Sequence, residues 1–247
     1  KNHPLLKKLV LLIVPNYNAD GNERVGKLHR PGQLGPAVMG RRENAQQLDL
    51  NRDFIKMDAP ETRHLVRFVS LWQPHVFIDL HTTNGSEHRY ALTYDVAHNP
   101  AAPQSSVRLL RDTILPEVTK NLQTKHKTLT NYYGNFNKQK TRWSTFGHEP
   151  RYSTEYMGMR GSLAILSEAY SYVSYRRRIE ATSQFVRECL NSVAKRSDQV
   201  RAAVKKARTT LPKQLPVQAK LAKYLKPTTI EGYKTVKGKK KPHSYSV

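Results

Sequence analysis

The sequence predicts an α/β fold built on a mixed, largely parallel sheet with helices on both faces. Two observations lead to this prediction: short apolar runs typical of buried strands, and longer segments with apolar residues at helical spacing. The apolar runs lie at residues 9–14, 75–80 and 163–166 of the 247-residue chain. In sheets of this kind functional side chains gather at the carboxyl ends of the strands, so the residues that follow each run are the first candidates for a site.

The first predicted strand is the continuous apolar run at residues 9–14, which Pro15 ends. Such a run is typical of a central strand that is buried on both faces. Turn-forming residues follow it up to Gly21, and residues 22–50 are rich in Gly, Pro and charged residues. A loop of that length inside a compact domain is usually functional, so we expect it to contribute to a site.

A helix and the second strand come next. Asp58 is expected to cap a helix that has Pro60 in its first turn and that Pro74 ends. The apolar residues between the two prolines recur on one helical face, which supports this helix. Residues 75–80 then form a buried strand, which delivers His81 to its carboxyl end.

The second half of the chain predicts two more helices and a third strand. An amphipathic helix covers residues 106–122, with a kink at Pro116 because proline cannot donate a backbone hydrogen bond. The third strand, at residues 163–166, places Glu168 at its tip. One long helix is predicted from residue 175 to about residue 208.

The net charge of +23 is concentrated near the carboxyl terminus, because residues 195–247 hold fifteen Lys and Arg against two acids. We therefore divide the chain into a domain at residues 1–210 and a basic extension at 211–247, in which residues 228–236 predict a strand. Such an extension can attract polyanions, for example nucleic acid, acidic lipid or wall polymers. No nucleic-acid-binding motif accompanies the charge, so a solvated helix and extension is the interpretation we favour.

The composition excludes a helical membrane span and an internal disulfide. No stretch approaches the roughly 20 apolar residues that a membrane-spanning helix needs. The single cysteine, Cys189, rules out a cysteine-based metal site, and its apolar helical setting predicts a buried structural residue. The chain opens with Lys1 rather than Met and enters a predicted core strand almost at once, so we expect it to be part of a longer protein.

His81 and Glu168 are the first two candidates for chemistry. His81 directly follows a predicted buried strand, a position that suits a metal ligand with a neutral imidazole. The alternative is a hydrogen-bonded structural histidine. Glu168 ends an apolar run, where desolvation raises the pKa of a carboxyl group and suits it to take a proton from water. The alternative is a helix-capping or salt-bridged glutamate.

Several arginines in and after the long loop are candidates for binding anions. Arg52, which follows Asn51, offers a planar fork that can grip a carboxylate with two hydrogen bonds. Arg41 and Arg42 could polarise a carbonyl group and stabilise the oxyanion that forms when water attacks it. Each of them, taken alone, can equally be a surface arginine.

Taken together, these motifs resemble those of the zinc carboxypeptidases of the carboxypeptidase A type, including their cytosolic relatives. The likeness covers about residues 9–190. Its segments are Pro15-Asn16-Tyr17-Asn18-Ala19-Asp20-Gly21 for the family's Asn-Pro-Asp-Gly turn, Asp49-Leu50-Asn51-Arg52 for its Asn-Arg dipeptide, residues 61–81 for its helix, strand and third zinc ligand, and Ile165-Leu166-Ser167-Glu168 for the strand that carries the catalytic glutamate. The resemblance implies a zinc carboxypeptidase-like fold that lacks its N-terminal part.

The resemblance also implies an activity, which is hydrolysis of the C-terminal peptide bond of a peptide or protein. His81 would be the third ligand of one Zn²⁺ ion, and Glu168 would be the general base and then the acid for zinc-bound water. Asn51 and Arg52 would bind the terminal carboxylate of the substrate. Arg42 would polarise the scissile carbonyl.

The remaining contacts with the substrate follow from the same resemblance. Arg41 is the alternative to Arg42. The family places a mobile tyrosine over the substrate some twenty residues before the glutamate, and the nearest candidates here, Tyr152 and Tyr156, lie closer to the glutamate than that. We take Tyr156 and Arg160 as candidate substrate contacts.

The family's first two zinc ligands, a His-x-x-Glu motif before the Asn-x-Asp-Gly turn, are missing from this sequence. None of the ten histidines has Glu or Asp three residues later. Catalytic zinc needs three protein ligands and an open position for water, so we expect the chain alone to bind zinc poorly and to be inactive. Two alternatives remain: a related zinc amidase acting on wall peptides with the same catalytic residues, or a non-catalytic basic binding protein on the same fold.

Overall fold

The computed structural model describes residues 3–83, 85–210, 216, 218–224 and 226–247. Asn84 and several residues of the predicted extension (211–215, 217 and 225) lie outside the described residues. The strands are β1 Val76–Thr83, β2 Leu92–Val96, β3 Thr130–Tyr132, β4 Asn135–Phe136, β5 Trp143–Ser144, β6 Leu163–Tyr170, β7 Thr229–Val236 and β8 Lys239–Ser246. The α-helices are α1 Ala19–Glu23, α2 Pro60–Trp72, α3 Gln104–Leu109, α4 Leu115–His126, α5 Ser153–Met159, α6 Tyr175–Lys195 and α7 Ser197–Thr209.

The central sheet contains four strands in the order β1-β6-β2-β3. β1 runs parallel to β6, β6 runs antiparallel to β2, and β2 runs parallel to β3. Most pairings in this sheet are parallel, so the predicted mixed, largely parallel sheet is confirmed. The pairs β4–β5 and β7–β8 form separate antiparallel sheets.

Helices cover both faces of the central sheet, as predicted. On one face Leu163 and Ile165 of β6 belong to the core that also contains residues of α4, α6 and α7. On the other face Ala164 packs with residues of α2 and α5. Side chains alternate between the two faces along a strand, so Glu168 lies on the same face as Ala164. No helix in the described part of the chain is long and apolar enough to cross a membrane.

The prediction of a strand at residues 9–14 is wrong. This segment has no strand structure, and Val10 and Ile13 are 80% and 78% exposed. Leu9, at the start of the segment, packs against the main core. An apolar run becomes a buried strand only where neighbouring strands cover it, and none of the described strands pairs with this segment.

The helix predicted after Asp58 is confirmed as α2, but Asp58 does not cap it. Ala59 is the N-cap residue and makes no side-chain capping bond. The Asp53 carboxylate instead accepts hydrogen bonds from the backbone N–H groups of Asp58 and Ala59, both at 2.9 Å. The helix ends at Gln73, whose φ of 44° is left-handed, just before Pro74. The sequence did not reveal that Asp53 fixes the backbone of the two residues that precede the helix.

The helix predicted over residues 106–122 is longer than expected and is distorted close to the predicted kink. A π-helical turn at Leu110–Ile114 joins α3 to α4, and Pro116 lies in the first turn of α4. Because proline lacks an N–H group, it cannot complete the regular hydrogen-bond ladder. A widened turn next to it is a common way to accommodate that gap.

The single helix predicted from residue 175 to about residue 208 is in fact two helices, α6 and α7, which meet at Arg196. Arg196 has φ −118° and ψ 27°, outside the helical region. Its guanidinium donates to Glu117 of α4, which also accepts hydrogen bonds from Ser192 at 2.7 Å and Lys195 at 3.0 Å. No Pro or Gly marks this break, so it depends on contacts that the sequence pattern does not reveal.

The strand predicted at residues 228–236 is confirmed as β7, which forms a hairpin with β8. The hairpin contacts the segment between β1 and β2. Arg89 donates to the Glu231 carboxylate at 2.5 Å, and the Tyr90 hydroxyl accepts from the backbone N–H of Glu231 at 2.9 Å. Ile230 is buried. The predicted extension is therefore not wholly solvated, because it includes a folded hairpin that packs on the rest of the chain; the boundary at residue 210 stays a prediction.

Replacing Glu231 by Gln should lower the free energy of unfolding by about 1 kcal/mol, because it removes a partly buried charge from the bond to Arg89. Urea titration followed by circular dichroism measures this change. The control is Glu180→Gln, which removes the exposed pair with Arg176 and should change stability by less than about 0.5 kcal/mol. Equal effects of the two substitutions would contradict a stabilising role for the hairpin contact.

Candidate functional site

Glu168 and His81 lie side by side on neighbouring strands. β1 and β6 are in parallel register with His81 opposite Glu168. Within the described residues, Oε2 of Glu168 is buried and has no hydrogen-bond partner. Burial raises the pKa of the Glu168 carboxyl to about 7, and the negative charge of Asp79 adds to the rise. The positive charges of His81, Arg42 and Arg52 lower the pKa of Glu168, so these three side chains lie near its carboxylate.

His81 is held by an aspartate two residues earlier on the same strand. Nε2 of His81 lies 2.8 Å from Oδ2 of Asp79, and the Ser153 hydroxyl donates to the same carboxylate oxygen. Burial lowers the pKa of His81, but the Asp79 charge and hydrogen bond outweigh it and raise the pKa to about 9. The pKa of Asp79 is lowered because its bonds to His81 and Ser153 outweigh burial. The imidazole is therefore charged at neutral pH, so metal binding would have to release a proton.

Asp49 organises the residues expected to bind the substrate. Its carboxylate accepts a hydrogen bond from Nε of Arg42 at 2.9 Å and another from the backbone N–H of Asn51 at 3.0 Å. Arg52 donates to the carbonyl oxygen of Asn51 at 2.7 Å, and its guanidinium carbon lies 4.7 Å from the ring centre of Tyr152. Arg42, Asn51 and Arg52 were predictable from the sequence, whereas the role of Asp49 in linking Arg42 to Asn51 was not.

A cleft of about 500 Å³ connects these elements. It is lined by the carboxyl end of β1, by the loop that follows residue 15 and by the segment around Asp49. Its lining residues include Tyr17, Arg41, Arg42, Asn51, Asp79, His81 and Arg178. The structure therefore brings Arg42, Asn51 and His81 to one cleft. Glu168 and Arg52 do not line it, but Glu168 lies beside His81 and Arg52 follows Asn51.

Tyr156 and Arg160 are not among the residues that line this cleft. Arg160 donates to the Tyr156 hydroxyl at 3.2 Å and to the Ser70 hydroxyl at 2.9 Å. It precedes the first residue of β6, and five residues of extended strand, about 17 Å, separate that first residue from Glu168. The Tyr156 ring packs against Phe54 with a centroid distance of 5.8 Å. Tyr152, which stacks on Arg52, lies nearer to the candidate site.

Tyr133 is a further residue that the sequence analysis missed. Burial raises the pKa of its hydroxyl, and the charge of Glu168 adds to the rise. Its hydroxyl accepts a hydrogen bond from the Asn135 side chain at 3.3 Å. Tyr133 lies between two short strands that the sequence did not predict, so nothing in the pattern connected it with Glu168.

The described residues do not form a zinc site by themselves. Among them, no group of three or more His, Cys, Asp and Glu side chains is arranged to hold a metal ion. Nε2 of His81 is already bonded to Asp79, and the neighbouring acid is Glu168. A catalytic zinc ion needs three protein ligands, so this donor set does not fit one.

Solved structures similar to this chain indicate which known proteins share its fold. No family model and no curated protein matches the sequence. A metallo-carboxypeptidase from Pseudomonas aeruginosa, solved in complex with (2-guanidinoethylmercapto)succinic acid, is similar in structure with a TM-score of 0.52 and 18% identity over 76% of this chain and 46% of that one. A metallo-carboxypeptidase from Burkholderia cenocepacia gives a TM-score of 0.47 and 13% identity over 63% of this chain and 41% of that one.

These comparisons concern fold only. The chain spans less than half the length of either of the two solved structures. At 18% identity the likeness to the Pseudomonas enzyme is one of architecture. The mixed sheet with helices on both faces is thus an arrangement that this chain shares with a metallo-carboxypeptidase.

Proposed function

We propose that this protein is a zinc-dependent metallocarboxypeptidase, which hydrolyses the C-terminal peptide bond of a peptide or protein. The observation that carries the proposal is the partly buried Glu168 side chain, which lies beside His81 and has one buried oxygen, Oε2, without a described partner. A carboxyl group whose pKa is raised to about 7 is well matched to taking up and returning a proton near neutral pH. The shared fold supports this choice among hydrolytic activities.

Each side chain of the site has a proposed role. Ionised Glu168 would take a proton from the attacking water and pass it to the leaving amine. Arg42, whose Nε atom is fixed by Asp49, would polarise the scissile carbonyl through its other nitrogens. Asn51 and Arg52 would bind the terminal carboxylate of the substrate.

One zinc ion is the proposed cofactor, with His81 as a ligand. Among the described residues, His81 belongs to no group of three metal-binding side chains, the number that a catalytic site needs. We therefore assign no step of the reaction to the ion. Tyr156 and Arg160 stay predicted substrate contacts; like Glu168 and Arg52, they are not among the residues that line the cleft.

Two other functions compete with this proposal. A zinc amidase acting on wall peptides would use the same residues, so only its substrates distinguish it. A non-catalytic basic binding protein is favoured by the lack of a three-ligand metal site within the described part of the chain. Its polyanion-binding surface would be the hairpin, where Lys234, Lys237, Lys239 and Lys241 are exposed.

The decisive experiment measures zinc content and peptide cleavage together. The 247-residue chain and the protein purified from its natural source are analysed for bound zinc and incubated with a peptide library, and the products are identified by mass spectrometry. We expect single residues to be released from the C-termini of the peptides, and we expect a chelator to abolish this cleavage. If the natural protein contains no zinc and cleaves nothing, the binding-protein alternative replaces the proposal.

Replacing Arg52 by Gln should raise KM by about 10- to 100-fold with a smaller effect on kcat, because one charged contact to the substrate carboxylate is lost. Initial rates over a range of peptide concentrations measure both constants. The matched control is Arg67→Gln, which removes the same charge from an exposed position on α2. Equal KM values for the two variants would exclude Arg52 as the carboxylate-binding residue.

A further inference from the structure

A second pocket of about 500 Å³ opens beside the cleft, and its lining is rich in positive charge. We call it the arginine pocket and define it by His29, Arg30, Arg41 and Arg42. It shares several residues with the cleft, namely Arg30, Gln33, Arg41, Arg42 and Thr82. Thr82 directly follows His81 on β1, so a ligand in the arginine pocket would lie next to the proposed reaction site.

Arg30 is the residue in this pocket that most needs a partner. Its side chain is partly buried. Among the described residues, its guanidinium experiences the charges of Arg42, Glu43 and Asp49 but forms no hydrogen bond with them. Burial lowers the pKa of Arg30, and the positive charge of Arg42 lowers it further. A guanidinium that has lost part of its water without gaining a counter-ion is unfavourable, and an anion in the pocket would offset that cost.

The acids near the pocket do not neutralise it. Asp49 attracts Arg30 but is already bonded to Arg42 at 2.9 Å. Glu43 also attracts Arg30 and lines the pocket, but it is exposed to solvent, where water screens its charge. The pocket therefore keeps a guanidinium that can bind another negative group.

The other basic side chains are oriented by local hydrogen bonds. Nε of Arg41 contacts Nε2 of His29 at 3.5 Å, and since arginine can only donate, that ring nitrogen accepts. Nδ1 of His29 then carries the hydrogen and donates it to the carbonyl oxygen of Met39 at 3.2 Å. These contacts occupy Nε of Arg41 and leave its two terminal nitrogens for a ligand.

We propose that the arginine pocket binds the carboxylate of an acidic side chain of the peptide substrate, so that the enzyme prefers acidic peptides. This inference rests on the proposed function, which puts the peptide in the adjoining cleft. The terminal carboxylate already has Asn51 and Arg52 as partners, so a second anion site next to His81 fits a second negative group on the same peptide. Planar guanidinium groups bind carboxylates with two parallel hydrogen bonds, which suits this ligand.

Peptide binding tests the inference without requiring turnover. Two fluorescently labelled peptides of equal length, ending in Ala-Glu-Glu-Ala and Ala-Gln-Gln-Ala, are titrated with the protein at about 150 mM salt, where long-range attraction is screened. We expect the acidic peptide to bind the wild-type chain about tenfold more tightly than the glutamine peptide does, because one charged hydrogen bond contributes about that much to affinity. Arg30→Gln should abolish this difference. Arg67→Gln, an exposed position on α2 with the same charge change, should preserve it.

The outcomes separate this inference from the proposed function. If Arg30→Gln discriminates between the peptides as the wild type does, or if the wild type does not discriminate, the arginine pocket is not a substrate site, whatever the activity assay shows. If discrimination depends on Arg30 but no peptide is cleaved, the pocket stands and the peptidase proposal fails. A third titration uses inorganic phosphate as competitor. Displacement of the acidic peptide by phosphate at a lower concentration than by free glutamate would overturn the assignment to a carboxylate.

Discussion

Replacing Glu168 by Gln should lower kcat for peptide hydrolysis by about 10²–10⁴-fold, while KM changes little. The amide keeps nearly the same shape but cannot take a proton from water. Initial rates of the natural protein and of the variant over a range of peptide concentrations measure both constants.

The same substitution should stabilise the protein at alkaline pH, an effect that does not depend on activity. The unfolded chain ionises Glu168 near its ordinary pKa of 4.5, whereas the folded chain ionises it near 7. Below pH 4.5 the carboxyl is protonated in both states and does not change the free energy of unfolding. Between about pH 4.5 and pH 7 the carboxyl ionises in the unfolded state before it does so in the folded state. The folded state therefore loses stability over this range, by about 3 kcal/mol in total. Gln is neutral throughout and lacks this penalty.

We therefore expect Glu168→Gln to be more stable than the wild type at pH 8 by about 2–3 kcal/mol and similar to it near pH 4. Urea titrations of the 247-residue chain at the two pH values measure the difference. Glu180→Gln, in an exposed pair with Arg176, serves as control and should show no such pH dependence. Activity that survives in Glu168→Gln would exclude the residue as general base. Equal stability at both pH values would contradict the burial of an unpaired carboxyl.

The pairing of Glu168 with His81 illustrates what the sequence could predict. Two apolar runs indicated parallel strands, and parallel strands bring the residues near their carboxyl ends together. Both residues lie inside their strands rather than beyond the ends, because β1 and β6 each continue for two more residues. The proximity was predictable, since it depends on strand direction and register more than on where each strand stops.

Features that depend on contacts between distant segments could not be predicted in this way. The apolar run at residues 9–14 has the composition of a buried strand, but a strand also needs a neighbour, and composition does not provide one. Arg160 is near Glu168 in sequence, yet it lies before the first residue of β6, and five residues of extended strand separate that first residue from Glu168. Arg30 shows the opposite case, because folding of the long loop brings it beside Arg42.

Replacing Phe185 by Ala should lower the free energy of unfolding by about 3–5 kcal/mol. Phe185 is fully buried on α6, and its ring stacks on Tyr94 of β2 with a centroid distance of 5.6 Å. Truncation leaves a cavity between the helix and the sheet that the surrounding residues of both elements cannot fill by small movements. Guanidinium chloride unfolding followed by circular dichroism measures the loss.

A second position on the same helix provides the matched control. Ile179 of α6 is 50% exposed, so Ile179→Ala should cost less than about 1 kcal/mol. Phe185→Leu keeps most of the buried volume, so its loss in free energy of unfolding should lie between those of Phe185→Ala and Ile179→Ala. The position matters for the site as well as for the core, since Tyr94 adjoins Thr93, which is paired with Glu168 in the β2–β6 register. If Phe185→Ala costs no more than Ile179→Ala, then α6 does not pack on β2, and the sheet that holds Glu168 must be supported from elsewhere.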